Sequence, residues 1–127
     1  MTRLEHVNVT VVDPDKTAAV LCELFGWQVR WAGAGMQTGR TVHVGGPDSY
    51  VALFSYGDPV QGREESYRTR AGLNHIAVVV DDLAATEARI RKAGYHTENH
   101  ADYEPGQRFY FTEENGVEFE VVHYPSQ

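Results

Sequence analysis

The stretch HVNVTVVDPDK at positions 6–16 decides the fold. Its alternating valines read as a strand, and Asp13-Pro14-Asp15 then supplies an N-cap carboxylate followed by proline at the first helical position. Apolar Ala18, Leu21, Cys22 and Phe25 keep helical spacing, and Gly26 stands where a left-handed terminating residue is wanted, so a helix is expected to end near Phe25. Working outward, residues 27–31, 37–44 and 50–55 read as three further strands, separated by turns such as Gly33-Ala34-Gly35 and Gly45-Gly46-Pro47. The unit is therefore βαβββ. Residues 56–72 are polar and glycine-punctuated and read as a connecting segment or flap.

The same order then returns. NHIAVVVDDL at 74–83 gives a strand over 73–80, with Asp81-Asp82 as cap, followed by a helix over 83–92 stopped by Gly94 and by strands near 95–99, 108–112 and 117–124. His75 lies 69 positions after His6, while Gly94 and Glu120 lie 68 after Gly26 and Ala52. Self-similarity of this kind marks a duplicated structural unit. The expected class is α+β, two βαβββ modules forming curled mixed sheets around a cavity, with module one at 3–57, a linker at 58–72 and module two at 73–124.

Composition narrows the function. At 127 residues the chain has the length of one domain, too short for a TIM barrel or a two-domain dinucleotide enzyme. A net charge of −7 disfavours nucleic acid and anionic lipid as partners and favours a small-molecule substrate. Cys22 alone can form no intrachain bridge, no apolar run is long enough to span a bilayer, and the N-terminus reads as a strand instead of a signal peptide; a cytoplasmic protein is expected.

Strand alternation sorts the faces. Val7, Val9 and Val11 point to the helix and His6, Asn8 and Thr10 away from it; in the second copy Ile76, Val78 and Val80 oppose His75, Ala77 and Val79, and Glu118 and Glu120 oppose Val117, Phe119 and Val121. His6, His75 and Glu120 then offer two imidazoles and one carboxylate, a set that binds a divalent ion while leaving positions open. For any one of these residues a local hydrogen bond is the plainer reading; the equivalent placement of the two histidines in the two copies supports the metal. Gly33-Ala34-Gly35 with Gly39 lacks the strand-turn-helix context of a dinucleotide loop, and Asn8-Val9-Thr10 is a chance glycosylation triplet within a strand. His43, His96, His100 and His123 have no histidine at the repeat offset and read as surface or locally hydrogen-bonded residues.

The two module openings, with YFTEENGVEFEVV at 110–122 closing the second, resemble the vicinal oxygen chelate superfamily, which includes glyoxalase I, bleomycin-resistance proteins, fosfomycin-resistance transferases and extradiol dioxygenases. The resemblance implies metal ligands from the first and fourth strands of each module, which here are His6, Ala52, His75 and Glu120. Alanine cannot bind metal, so the pattern departs from the four-ligand glyoxalase I and epimerase sites and is similar to the His-His-Glu sites of the transferases and dioxygenases. It implies a divalent cofactor (Fe, Mn, Zn, Ni or Co), catalytic Tyr110 and Arg108, a substrate wall of Asn8, Tyr50, Ala52, Phe54 and Tyr103, and a homodimer. Two functions are expected to compete: a metal-dependent enzyme of dioxygenase, lyase or transferase type, and a metal-free module that sequesters a small molecule.

Overall fold

The computed structural model describes residues 1–35, 39–59, 65–104 and 106–125. It divides into two compact units, Met1–Gln61 and Gly62–Gln127. The first runs β1 (His6–Thr10), α1 (Pro14–Phe25), β2 (Gln28–Ala34), β3 (Arg40–Gly45) and β4 (Tyr50–Ser55). The second repeats this as β5 (Ile76–Val79), α2 (Leu83–Lys92), β6 (Glu98–Tyr103), β7 (Gly106–Thr112) and β8 (Glu118–His123). The sheet orders are β1-β4-β3-β2 and β5-β8-β7-β6, in which the first and last strands of each unit pair in parallel and the other neighbours are antiparallel. Two mixed sheets each carrying one helix are the duplicated α+β architecture that the repeat implies. No helix among the described residues is long and apolar enough to cross a membrane.

In the first unit the caps act as the sequence suggests. Asp13 accepts from the Lys16 backbone N–H at 3.1 Å, Pro14 opens α1, and Gly26 closes it at φ 69° with its N–H on the Cys22 carbonyl. Ala18, Leu21 and Leu24 of α1 bury against the sheet face carrying Val42, Val44, Val51 and Leu53. Burying each leucine contributes about 2–3 kcal/mol. Arg40 of β3 reaches Asp15 in the first helical turn at 2.8 Å.

The second unit uses a different mixture. α2 is poor in apolar residues and buries Ile90 and Thr86, beside a sheet face of Phe109, Phe111, Phe119 and Val121. Phe111 and Phe119 stack with centroids 5.5 Å apart. Polar ties supplement that core: the Glu87 carboxylate of α2 accepts from Thr97 at 2.5 Å, contacts His100 Nε2 at 2.5 Å and pairs with Arg91 at 2.8 Å. Burial, the largest single influence, raises the Glu87 pKa, but these contacts outweigh it and leave the carboxylate below its ordinary value.

β6 runs over Glu98–Tyr103 and not over residues 95–99 as expected. Asn99 adopts a left-handed φ of 55° and the β6–β7 register shifts between Glu98 and Ala101, so the extended pairing begins later in the chain. β5 is likewise shorter than the expected 73–80, leaving Leu73 half-exposed ahead of it. Within the connecting stretch, Ser66–Arg68 forms a 3-10 turn. The turn before β8 is held by Glu113, a buried carboxylate that accepts from the backbone N–H of Asn115 at 2.8 Å and of Val117 at 3.0 Å, with Gly116 at φ 89°. That turn sets the phase in which Glu118 and Glu120 leave the sheet.

Candidate functional site

In the second unit the strand register assembles a polar cluster on the sheet face away from α2. Ala77 of β5 and Tyr110 of β7 lie opposite Glu120 of β8, and Arg108 lies opposite Val122. His75, one step before β5, shares the parity of Ala77. Its Nε2 stands 3.0 Å from Glu120 Oε1, while the other Glu120 oxygen accepts from Arg108 Nη1 at 2.7 Å. Glu120 and Arg108 are largely buried, with 9% and 11% of their side chains exposed. Tyr110 meets the His75 ring edge-on at 5.6 Å. Burial first, and then the Glu120 charge, hold the Tyr110 hydroxyl above its ordinary range, so it remains a neutral donor.

Polar groups approach both ring nitrogens of His75. Tyr67, on the 3-10 turn, donates its hydroxyl proton to Glu118 Oε1 in a short bond. Its oxygen is then left to accept from His75 Nδ1 at 3.2 Å. The Glu118 bond, followed by burial, pushes the Tyr67 hydroxyl up to about 12, so that proton stays in place at neutral pH. With Nδ1 carrying hydrogen, a neutral His75 would aim an unshared pair at a carboxylate oxygen 3.0 Å away. In that tautomer the space between the two atoms suits a metal cation, while in the other tautomer Nε2 donates its own hydrogen to Glu120. Two ligands each about 2.1 Å from a shared ion and at right angles stand ~3.0 Å apart, so the pair fits a divalent ion, and the Nδ1 contact is the outer hydrogen bond such histidines normally make.

Arg108 has a further property. Its guanidinium lies under the Tyr103 ring, 4.8 Å from the centroid. Its Nε and Nη2 are buried and have no hydrogen-bond partner among the described residues.

The first unit carries the corresponding positions. His6 lies opposite Tyr50, and Asn8 and His43 both lie opposite Ala52. By register Ala52 is therefore the counterpart of Glu120, Tyr50 of Glu118 and His43 of Tyr110. Where the second unit builds an ionic cluster, the first builds a ladder of rings. His6 stacks on Tyr50 at 4.9 Å, Tyr50 on His43 at 4.4 Å, and Trp31 packs beside His43 at 5.1 Å. Arg30 caps the Tyr50 ring at 4.7 Å, and Glu5 binds both His6 Nδ1 at 2.8 Å and the Tyr50 hydroxyl at 3.2 Å. Burial, then the nearby positive charges, lower His43 below the ordinary histidine range and keep its ring neutral. Asn8 is exposed, whereas Ala52 and Phe54 are buried at 1% and 6% exposure. Phe54 packs so closely on Gly35 and Gly39 that a Cβ at Gly39 would come within 2.6 Å of its ring.

Of the residues singled out from sequence, the structure brings His75, Glu120, Arg108, Tyr110 and Tyr103 together in one unit and His6, Asn8, Tyr50 and Ala52 onto one sheet face of the other. Among the described residues, no three or more His, Cys, Asp or Glu side chains form a group that could hold a metal ion. Sequence reading missed Tyr67, which sits in a stretch with no strand or helix pattern to orient it. It also set His43 aside, because no histidine stands at the repeat offset; the structure shows its counterpart to be Tyr110. His100 and His123 do make local contacts, with Glu87 and with the Val80 carbonyl at 3.0 Å.

Solved structures share this architecture. A glyoxylase/bleomycin resistance protein/dioxygenase domain from Frankia sp. EAN1pec is 21% identical, with 98% of each chain covered and a TM-score of 0.80. TnmS3, an antibiotic binding protein from Streptomyces sp. CB03234, is 17% identical, covering 98% of this chain and 97% of its own at a TM-score of 0.76. A variant of the fosfomycin resistance protein FosX from Listeria monocytogenes, complexed with Mn(II) and 1S,2S-dihydroxypropylphosphonic acid, is 21% identical, covering 96% and 92% at a TM-score of 0.73. No curated protein sequence matches significantly. Identities this low establish the fold alone, but a sequence model of one family matches residues 3–121, nearly the whole chain, and so this protein belongs to the Glyoxalase/Bleomycin resistance protein/Dioxygenase superfamily.

Proposed function

We propose that this protein is a divalent-metal-dependent enzyme acting on a small oxygen-rich molecule that chelates the ion through neighbouring oxygens. His6, His75 and Glu120 would hold the metal, in a homodimeric protein of the cytoplasm. The observation that carries the reading is the approach of His75 Nε2 to Glu120 Oε1 at 3.0 Å with Nδ1 beside the Tyr67 hydroxyl, a geometry that fits a shared divalent ion. Ala52 in place of a fourth ligand leaves three donors and open positions for substrate, water or oxygen. A bound divalent ion supplies Lewis acidity and a template for the chelated oxygens. Arg108 fixes the Glu120 carboxylate, the Tyr67 hydroxyl stands beside His75 Nδ1, and Tyr110 offers a neutral O–H to a substrate oxygen. Asn8, Tyr50, Ala52, Phe54 and Tyr103 would contact the substrate. The open choice of chemistry lies between dioxygenase, lyase or isomerase, and thiol-transferase reactions.

A second reading has its own support. The ring ladder of His6, Tyr50, His43 and Trp31 suits a flat ligand, and a protonated His75 would satisfy Glu120 without metal. In that case the chain sequesters a small molecule, as an antibiotic binding protein of the same fold does. Metal analysis separates the two. Freshly purified protein should retain about one equivalent of a first-row divalent ion, and His75→Ala and Glu120→Ala should each lose it. Absence of metal, or retention unchanged in both variants, would move the assignment to the binding module, whose ligand affinity should survive chelator.

A further inference from the structure

We infer that Arg108 is an anion clamp and that the ligand carries a carboxylate or phosphonate group seated on its Nε–Nη2 edge. This deepens the proposed function and rests on its placing of substrate beside Glu120. A guanidinium presents two forks, and Glu120 uses only Nη1, through one bond of 2.7 Å. Nε and Nη2 form the other fork, whose two parallel N–H groups match the spacing of two oxygens on one oxyanion. Both are buried without a hydrogen-bond partner among the described residues. Natural proteins rarely leave buried donors unmet, and unmet groups cluster where a ligand completes them. Tyr103 does not answer this need, because a ring over the guanidinium face contacts its π surface and not its in-plane hydrogens. Tyr103 is itself 58% exposed and is not part of the buried core. Arg108 also borders an open cavity of about 360 Å³ on the α2 side, whose lining includes the carboxylates of Glu87 and Asp102 beside His100 and Gln107.

Calorimetric titration of the full chain with benzoate, phenylphosphonate and neutral benzamide tests the clamp, in the presence of Mn(II) and again with chelator. At least one anion should bind about tenfold or more tightly than benzamide, the return expected from a charge-assisted fork. Arg108→Lys, which keeps the charge but not the fork, should lose about that factor. The anion that loses more identifies the natural group as carboxylate or phosphonate. Equal binding of anion and amide, no saturation by either anion, or unchanged affinity in R108K would overturn the inference. Should R108K fail to fold, the Arg108 Nε–H resonance of the wild type decides: a downfield shift on adding phenylphosphonate supports the clamp, and an unmoved resonance refutes it. The two readings fail separately. Anion preference that depends on Arg108 in a protein holding no metal upholds the clamp and defeats the metal enzyme; Mn(II) binding without anion preference does the reverse.

Discussion

Replacing Arg108 by methionine preserves much of the side-chain bulk and removes the guanidinium that sits on Glu120 at 2.7 Å. Deleting one member of a buried ion pair costs about 3–5 kcal/mol, because the survivor is left charged in a poor solvent. Two local features reduce that figure. His75 remains 3.0 Å from the other Glu120 oxygen, and the unmet Nε and Nη2 groups, each a liability of about 1–3 kcal/mol, disappear with the guanidinium. A net loss of about 1–3 kcal/mol is expected for R108M. Glu120→Gln should cost about as much, since it leaves the arginine charged and unpaired. In the double variant neither charge remains, so its loss should fall short of the two single losses combined by about 2 kcal/mol. Urea unfolding followed by circular dichroism, with chelator present so that metal linkage does not intrude, gives all four stabilities. Additivity within about 0.5 kcal/mol would show that the two groups do not depend on each other, and the electrostatic account of the cluster would fall.

Tyr67→Phe removes the hydroxyl that bridges Glu118 and His75. Its acid dissociation is raised from an ordinary value near 10 to about 12, so its contribution is complete below pH 10 and is lost as pH rises through 12. Because the ring is more than half exposed, solvent screening limits that contribution to about 1 kcal/mol or less at neutral pH. Absorbance titration at alkaline pH should show one tyrosine ionising last in the wild type and missing from Y67F; identical titration tails would contradict the assignment. Leu24→Ala, at a fully buried site on α1, should destabilise by about 2–5 kcal/mol in urea, and a loss under 1 kcal/mol would mean that the helix does not seal the first core as described.

Much of the scaffold is written locally. The Asp13-Pro14 and Asp82 caps, the Gly26 and Gly94 stops and the valine alternation each act over a few residues, so helix bounds and strand faces follow directly from sequence. His75 and Glu120 were legible for the same reason, through parity and the repeat offset. Their approach to 3.0 Å follows from the parallel β5–β8 register. Other features depend on contacts that no local pattern encodes. Tyr67 is aimed by a 3-10 turn inside a polar stretch, and Arg108 reaches Glu120 diagonally across two strands instead of from the directly opposed position. The start of β6 was misplaced because the left-handed Asn99 and the neighbouring irregularity break the two-residue period by which strands are counted.

The parallel pairing of β5 with β8 carries a kinetic consequence. Those strands are the outermost in sequence within their unit, and hairpin growth from the middle cannot join them; the chain must close its longest internal loop before Ala77 faces Glu120. The ionic cluster therefore depends on the same non-local encounter that joins β5 to β8. Anything that grips the cluster tightly enough to favour the folded form by mass action would bear on a part of the molecule that must close a long loop, acting as a folding chaperone of its own binding site.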